Sequence, residues 1–285
     1  DAPKGRDEIG ELARGFNVMT DQLQENIRVL AEETAARERI EGEMQLARKI
    51  QEMLLPAAFP ALPDRKDVEV CALNEPARVV AGDFFDIIDH GERITIVMAD
   101  VSGKGAGAAM FMSMAHTIIR IFDSHDSPLP ELVYRLNECL YPDSRGSMFV
   151  TLVILRYEPS TGKIEFVNGG HPPPIILDTD GIPELIGEST GPLVGAIEEA
   201  EWTTLTHQLQ PGERLVLYTD GVTEARDGNE TMLGEHGLLE MLKQTGMPQD
   251  DPATLCQRLV KQIQDREPGE ASDDITVLVL GRPVS

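Results

Sequence analysis

Four short apolar segments of this chain each border on an aspartate, and this pattern limits how the chain can fold. The segments are residues 79–82, 94–99, 215–219 and 275–277, and the neighbouring aspartates are Asp83, Asp100, Asp220 and Asp273. A charge buried at the end of a core strand is costly unless it is paired or binds a metal. Carboxylates that meet there repel one another, whereas a hard cation such as Mg²⁺ or Mn²⁺ suits oxygen ligands. The sequence therefore predicts a metal centre built from carboxylates.

Residues 7 to about 55 follow a different, helical pattern. Apolar side chains repeat there at steps of three and four residues: Ile9, Leu12, Phe16, Met19 and Leu23. This spacing is the seam of a coiled coil, not the broader stripe of a globular helix. The next step is four residues where three is due, a stutter that locally unwinds a supercoil. Three prolines, Pro56, Pro60 and Pro63, are expected to end the helix.

After about residue 66 the pattern changes to short runs of β-branched residues, which indicate strands. We predict strands near 68–74, 78–88, 93–99, 148–157, 163–167, 174–178, 213–219 and 275–280. We predict helices near 105–122, 129–140, 236–245 and 252–265. Because the helices come in neighbouring pairs, the strict alternation of a Rossmann fold is absent. The pattern predicts an α+β domain of two packed β-sheets flanked by helices, an α-β-β-α sandwich, preceded by the long N-terminal helix.

Composition narrows the functional classes. The chain has 285 residues and a formal net charge of −24, which disfavours unspecific binding to nucleic acid and to an anionic membrane surface. The three separated cysteines, Cys71, Cys139 and Cys256, are expected to be reduced and mostly buried. No apolar run reaches the ~18 residues of a membrane span, and no signal peptide is visible. We expect a cytoplasmic location, although the parent protein could be anchored in the inner membrane.

Residues 99–109 form a glycine-rich stretch that does not meet the P-loop pattern, because Lys104 is followed by Gly105 and no glycine precedes Gly103 by five residues. Its glycines are better explained by a tight turn that brings backbone close to an ion or a helix. The carbonyl oxygen of Val101 is then a candidate metal ligand beside Asp100.

Each acidic position also has an ordinary structural explanation. Asp220 with Gly221 is typical of a turn after a strand, Asp273 and Asp274 of a capped turn, and Asp83 and Asp86 of a solvated strand edge. The combination of all of them is what favours a metal centre. Two histidines are assigned structural roles: His171 as a turn residue beside three prolines, in preference to a general acid, and His116 as a core residue of a helix.

Five segments resemble those of the metal-dependent type 2C serine/threonine phosphatases, in the bacterial branch of the stage II sporulation phosphatase and the general-stress sigma-factor regulators. They are AGDFFD at 81–86, ADVSGKG at 99–105, NGGHPPP at 168–174, YTDGVTE at 218–224 and SDDIT at 272–276. Residues 7–12 and 16–19 separately resemble the second helix of a HAMP signalling module. The resemblance implies the C-terminal half of a HAMP module at 1–30, a coiled-coil linker at 31–56 and a phosphatase domain at 60–282.

The resemblance also implies roles for individual residues. Asp100 would bridge two Mn²⁺ or Mg²⁺ ions, Asp220 and Asp273 would complete the site of the first ion, and Asp83 and the Val101 carbonyl would serve the second. Two such ions activate a water for in-line attack on phosphorus, with no covalent enzyme intermediate.

Two positions depart from the family pattern, and one residue of that pattern has no clear counterpart here. Asp274 stands where the wider family often has Asn, and Ala81 stands where the branch often has Gly. We find no clear counterpart of the arginine that binds phosphate in eukaryotic members, although Arg78 is near in sequence. The metals themselves are therefore expected to hold the phosphate.

The function implied is a protein serine/threonine phosphatase acting on a phosphorylated signalling protein, by branch resemblance a STAS-type anti-sigma-factor antagonist. Residues 7–55 would form a homodimer and transmit an input, since a stutter gives a helix two nearly equal packings. No nucleic-acid partner is expected. The alternatives are a catalytically inactive, phosphatase-like binding module and another two-metal enzyme, such as a nuclease or a nucleotide cyclase. The charge disfavours the nuclease, and no nucleotide site supports the cyclase.

Overall fold

The structure is a computed structural model, and it describes all residues except 1–7, 55–61, 63–64, 78–79, 124–126, 145–146, 246–249, 268, 270 and 285. The three prolines expected to end the first helix, and Arg78, therefore lie outside the described residues. The chain divides into two units, Asp1–Leu46 and Ala47–Ser285. No described helix combines the length and the apolar character that crossing a membrane requires.

The first helix, α1 (Glu8–Leu54), is continuous over the predicted range. Its polar faces carry ion pairs one turn apart, such as Arg28 with Glu25 and with Glu32, a spacing that supports a helix in water. Its predicted seam is exposed in the single chain, with Leu12 76% and Leu23 59% exposed. An exposed apolar seam is what a coiled-coil helix without its partner presents.

Two antiparallel sheets of five strands each form the second unit, with order β1-β10-β9-β6-β7 and β2-β3-β4-β5-β8. The strands of the first sheet are β1 (Glu69–Glu75), β6 (Ile175–Leu177), β7 (Pro183–Leu185), β9 (Arg214–Tyr218) and β10 (Ile275–Gly281). Those of the second are β2 (Phe84–Asp89), β3 (Ile94–Val101), β4 (Val150–Glu158), β5 (Lys163–Gly169) and β8 (Leu205–Gln208). The helices are α2 (Ala106–Phe122), α3 (Leu129–Ser144), α4 (Asp220–Glu224), α5 (Gly234–Thr245) and α6 (Pro252–Arg266).

The apolar side chains form three layers of core, which confirms the predicted sandwich. Because side chains alternate along a strand, each sheet buries both faces. One core lies between the second sheet and helices α2 and α3. Another lies between the two sheets. The third lies between the first sheet and helices α4, α5 and α6.

Several predicted details are wrong. Of the strand predicted at 78–88, residues 78 and 79 lie outside the described residues, and the described strand begins at Phe84. Strands β7 and β8 were not predicted, because they are edge strands of three and four residues with little buried apolar surface. Cys71 and Cys256 are buried free thiols as expected, but Cys139 is exposed on the outer side of α3.

Candidate metal centre

The alternation of side chains along the strands directs the acidic groups into one place. On β3, Ile94, Ile96 and Met98 face the other sheet, and Asp100 follows on the same face at the end of the strand. Asp83 stands one residue before β2 and continues the face of Phe85, which also points between the sheets. The same parity on β10 aims Asp274 and Thr276 into this space. Both sheets therefore contribute polar side chains to one edge of the sandwich.

Asp83 is the most deeply buried of these carboxylates, at 2% exposure. Its Oδ2 accepts hydrogen bonds from the hydroxyl groups of Thr219, at 2.6 Å, and Thr276, at 2.7 Å. Both donors come from the opposite sheet, so Asp83 ties the two sheets together at this edge. Burial, and then the nearby charge of Asp100, raise the pKa of Asp83 well above its ordinary value, although the threonine hydrogen bonds lower it.

Asp100 is at the middle of the acidic cluster. Burial, followed by the charge of Asp220, raises its pKa to about 6, while a hydrogen bond with Asp83 lowers it and the charges of Asp273 and Asp274 raise it further. The backbone of Gly82 lies close by: a Cβ at this position would be 3.2 Å from the Asp100 Oδ1 and 3.1 Å from the Val101 carbonyl oxygen. The Val101 carbonyl and the Asp100 carboxylate therefore lie beside the same glycine, as two candidate ligands should.

Asp220 and Asp273 lie next to strands of the other sheet, Asp220 after β9 and Asp273 before β10. Asp220 is the first residue of α4 rather than part of a simple turn, and burial, then the charges of Glu224 and Asp273, raise its pKa. Oδ1 of Asp273 accepts from the backbone N–H of Asp274 at 3.0 Å. Its Oδ2 lies 3.0 Å from the Nζ of Lys104. Neither Lys104 nor Glu224 was a predicted site residue.

Asp274 has a role that the sequence did not reveal. Its Oδ1 accepts from the backbone N–H of Ala77 and its Oδ2 from that of Gly82, both at 2.8 Å. The carboxylate thus holds the loop that leads into Asp83, with both oxygens engaged. We therefore assign Asp274 a positioning role and do not count it among the candidate metal ligands.

The donor set fits a hard divalent cation by its chemistry. Its side chains are all carboxylates, and burial and mutual repulsion raise the pKa of Asp83, Asp100 and Asp220, which is the conflict that a cation relieves. A small cleft lies beside Gly82, Asp100, Lys104 and Asp273. Within the described part of the chain, no three acidic, histidine or cysteine side chains already converge as a finished coordination sphere.

The two histidines are structural, as the sequence suggested. His171 is buried, with Nδ1 2.9 Å from the Thr151 hydroxyl, and burial lowers its pKa to about 3, so its ring is uncharged at neutral pH. His116 and Arg120 of α2 both bind Asp86, which is fully buried on the outer face of β2. Neither Asp83 nor Asp86 is a solvated edge residue.

Comparison with known proteins identifies the family. Residues 90–283 match the family model of the stage II sporulation protein E (SpoIIE), and residues 1–25 match that of the HAMP domain. Protein IcfG of Synechocystis is 32% identical over 83% of this chain, which spans 40% of the length of IcfG. The phosphoserine phosphatase RsbU of Bacillus subtilis is 26% identical over 86% of this chain and is itself covered over 71% of its length.

Solved structures show the same fold. The SiaA-PP2C domain of Pseudomonas aeruginosa covers 86% of this chain and is covered over 98% of its own, with a TM-score of 0.74 at 18% identity. The catalytic domain of the serine/threonine phosphatase PstP, solved with two manganese ions, covers 76% of this chain and is covered over 99%, with a TM-score of 0.57 at 16% identity. The chain belongs to the SpoIIE family, and its fold is that of the PP2C domain of SiaA.

Proposed function

We propose that this protein hydrolyses phosphoserine or phosphothreonine on a signalling protein, and that it requires two Mn²⁺ or Mg²⁺ ions. The acidic cluster carries the proposal, because carboxylates from both sheets meet at one edge of the sandwich with the pKa of Asp83 and Asp100 raised. Asp83, Asp100, Asp220, Asp273 and the Val101 carbonyl would hold the ions. When bound, two such ions supply an activated water and neutralise charge in an in-line displacement.

The remaining residues of the site would position these ligands. Thr219 and Thr276 fix one oxygen of Asp83, and Asp274 fixes the loop that precedes it. His171 stays uncharged, which disfavours it as the general acid that protonates the leaving group. No thiol of the described residues lies in the acidic cluster, which supports direct hydrolysis over a cysteinyl-phosphate route.

The substrate that we propose is a phosphorylated STAS-type anti-sigma-factor antagonist. The similarity to RsbU and to RsbP, both named phosphoserine phosphatases, supports a phosphoserine substrate, and the branch resemblance supports the STAS fold. The net charge of −24 would favour a partner with a basic surface around the phosphorylated residue.

We further propose that the N-terminal helix forms a homodimer and regulates the activity. The exposed seam of α1 and the HAMP match support this role.

The test is phosphate release from a phosphoserine protein with Mn²⁺, with EDTA, and with the Asp100→Asn variant. We expect turnover that requires Mn²⁺ and is lost in the variant. A folded protein that binds Mn²⁺ but releases no phosphate would instead support a phosphatase-like binding module. In that case DNA and nucleoside triphosphates should be tested as substrates of the same preparation.

A further inference from the structure

Lys104 is the residue that the metal-centre interpretation leaves unexplained. Its Nζ lies 3.0 Å from Asp273 Oδ2 and 3.2 Å from the Ser272 carbonyl oxygen. Among the ion pairs of the described residues, no other involves Asp83, Asp100, Asp220, Asp273 or Asp274. Within that part of the chain, the acidic cluster therefore has a single cationic neighbour.

The loop around Lys104 is built to present this side chain at the cleft. Gly103 and Gly105 flank it with φ of 95° and 84°, values that favour glycine over residues with a Cβ. Ser102 anchors the loop by two hydrogen bonds with Phe149, each 2.9 Å long. The backbone N–H of Ser102 donates to the Phe149 carbonyl oxygen, and the Ser102 hydroxyl oxygen accepts from the backbone N–H of Phe149. The side chain of Lys104 is 43% exposed, so its ammonium is reachable from solvent as well as from the carboxylates.

The charge balance of the proposed reaction calls for a cation in this place. Four carboxylate ligands balance two divalent ions, so the charge of an incoming phosphate group remains uncompensated at the centre. A positive group at the rim, in a partly desolvated cleft, attracts such an anion more strongly than it would in bulk water. A lysine ammonium suits this role because it is a compact charge with three N–H donors, and the contacts above account for two of them.

We propose that Lys104 binds the phosphate group of the substrate, and that Asp273 and Ser272 hold its ammonium at the rim beforehand; the proposal rests on the phosphatase function proposed above. In the metal-free protein the ammonium of Lys104 is paired with Asp273. A divalent cation that binds later has to compete with this ammonium for the Asp273 carboxylate. Once Asp273 is engaged by a cation, its attraction for Lys104 weakens and the ammonium is available to the phosphate.

A purely structural role gives different expectations. If Lys104 only pinned the loop that carries Asp273, its loss would disorder a ligand and weaken metal binding. If it binds phosphate, its loss removes a competitor for Asp273, so metal binding is retained or strengthened while phosphate binding weakens. The two roles therefore move metal affinity in opposite directions.

The experiment compares Lys104→Met and Lys104→Arg with the wild type and with a matched control, Lys163→Met. Lys163 is a lysine of equal exposure, 44%, paired with Glu165 at 2.6 Å on β5. Calorimetry measures the Kd of Mn²⁺ for each metal-free protein, and then the Kd of inorganic phosphate for each Mn²⁺-saturated protein. Steady-state turnover of the phosphoprotein gives KM and kcat.

We expect Lys104→Met to weaken phosphate binding and raise KM by about ten- to a hundredfold, the effect of losing a charge-assisted hydrogen bond. Its Mn²⁺ affinity should be unchanged or severalfold tighter, Lys104→Arg should recover part of the phosphate affinity, and Lys163→Met should match the wild type. Unchanged phosphate binding, or weaker Mn²⁺ binding in Lys104→Met, overturns the proposal.

Failure of the proposed function is separable from failure of this inference. A wild type without turnover refutes the phosphatase, but its phosphate calorimetry still tests Lys104. A wild type that binds Mn²⁺ and no phosphate refutes the role of Lys104 as well.

Discussion

Asp100→Asn should stabilise the metal-free protein while removing its response to metal. The pKa of Asp100 is raised from its ordinary 3.8 to about 6, chiefly by burial and by the charge of Asp220. Since one pKa unit corresponds to about 1.4 kcal/mol, keeping Asp100 ionised at pH 7.5 costs the native state up to about 3 kcal/mol. Asparagine is neutral and of similar size, and its side-chain oxygen can accept the hydrogen bond that Asp100 accepts from Asp83, so the variant avoids this cost.

The sign of the pH dependence follows from the direction of the shift. A carboxyl whose pKa is raised on folding binds more protons in the native than in the unfolded state, so its contribution to stability falls as the pH rises from about 4 to about 6. The stabilisation by Asp100→Asn should therefore be largest above pH 6.5 and clearly smaller at pH 5.

Urea unfolding in EDTA at pH 7.5 and pH 5, repeated with saturating Mn²⁺ at pH 7.5, measures these differences. The wild type should gain stability with Mn²⁺ because ligand binding favours the native state, and Asp100→Asn should gain far less. Asp265→Asn, at an exposed position on α6, is the control and should follow the wild type throughout. A variant that is no more stable than the wild type in EDTA at pH 7.5 would refute the electrostatic account of the cluster.

Three further substitutions test separate parts of the structure. Gly82→Ala places a methyl group 3.1 Å from the Val101 carbonyl oxygen, so we expect weaker Mn²⁺ binding by calorimetry with a circular dichroism spectrum like that of the wild type; full affinity would contradict the close approach. Asp274→Asn keeps one acceptor for the two N–H groups of Ala77 and Gly82, which should cost about 1–3 kcal/mol in urea unfolding and lower kcat, whereas a neutral result would show that the loop is held otherwise. Leu23→Glu puts a charge into the exposed seam of α1 and should convert a dimer into a monomer in sedimentation experiments and change turnover, with Mn²⁺ affinity preserved; unchanged association and unchanged turnover would refute the role of the seam.

The sequence predicted the layers of the fold well because long elements carry strong periodic signals. The predicted end of α2 and the predicted ends of β10 agree with the structure within a residue or two. Both elements are defined by many buried apolar residues. Strands β7 and β8 have no such run. The predicted start of β2 was too early because Val79 and Val80 are β-branched and so suggest a strand. In the structure Gly82 lies before β2, and its backbone is close to the Val101 carbonyl oxygen.

The clustering of the acidic residues could be predicted from the sequence, whereas their hydrogen-bond partners could not. An aspartate at the end of an apolar run can be recognised from the sequence alone. The hydroxyl groups that bind Asp83 come from Thr219 and Thr276 on the opposite sheet, and their approach depends on which strands face each other. The pairing of Lys104 with Asp273 likewise joins residues far apart in sequence.

Because the carboxylates are divided between two sheets, the distances between them depend on how those sheets are stacked. Asp83 and Asp100 move with β2 and β3, whereas Asp220 and Asp273 move with β9 and β10. The thickness of the inter-sheet core, filled by side chains such as Ile96 and Leu217, would therefore set the distance between the two pairs of carboxylates that we propose as ligands. If these carboxylates bind metal as proposed, we expect a small shift of one sheet over the other to change metal affinity without altering a ligand. Trimming or enlarging a side chain in this core should then change the affinity from a distance.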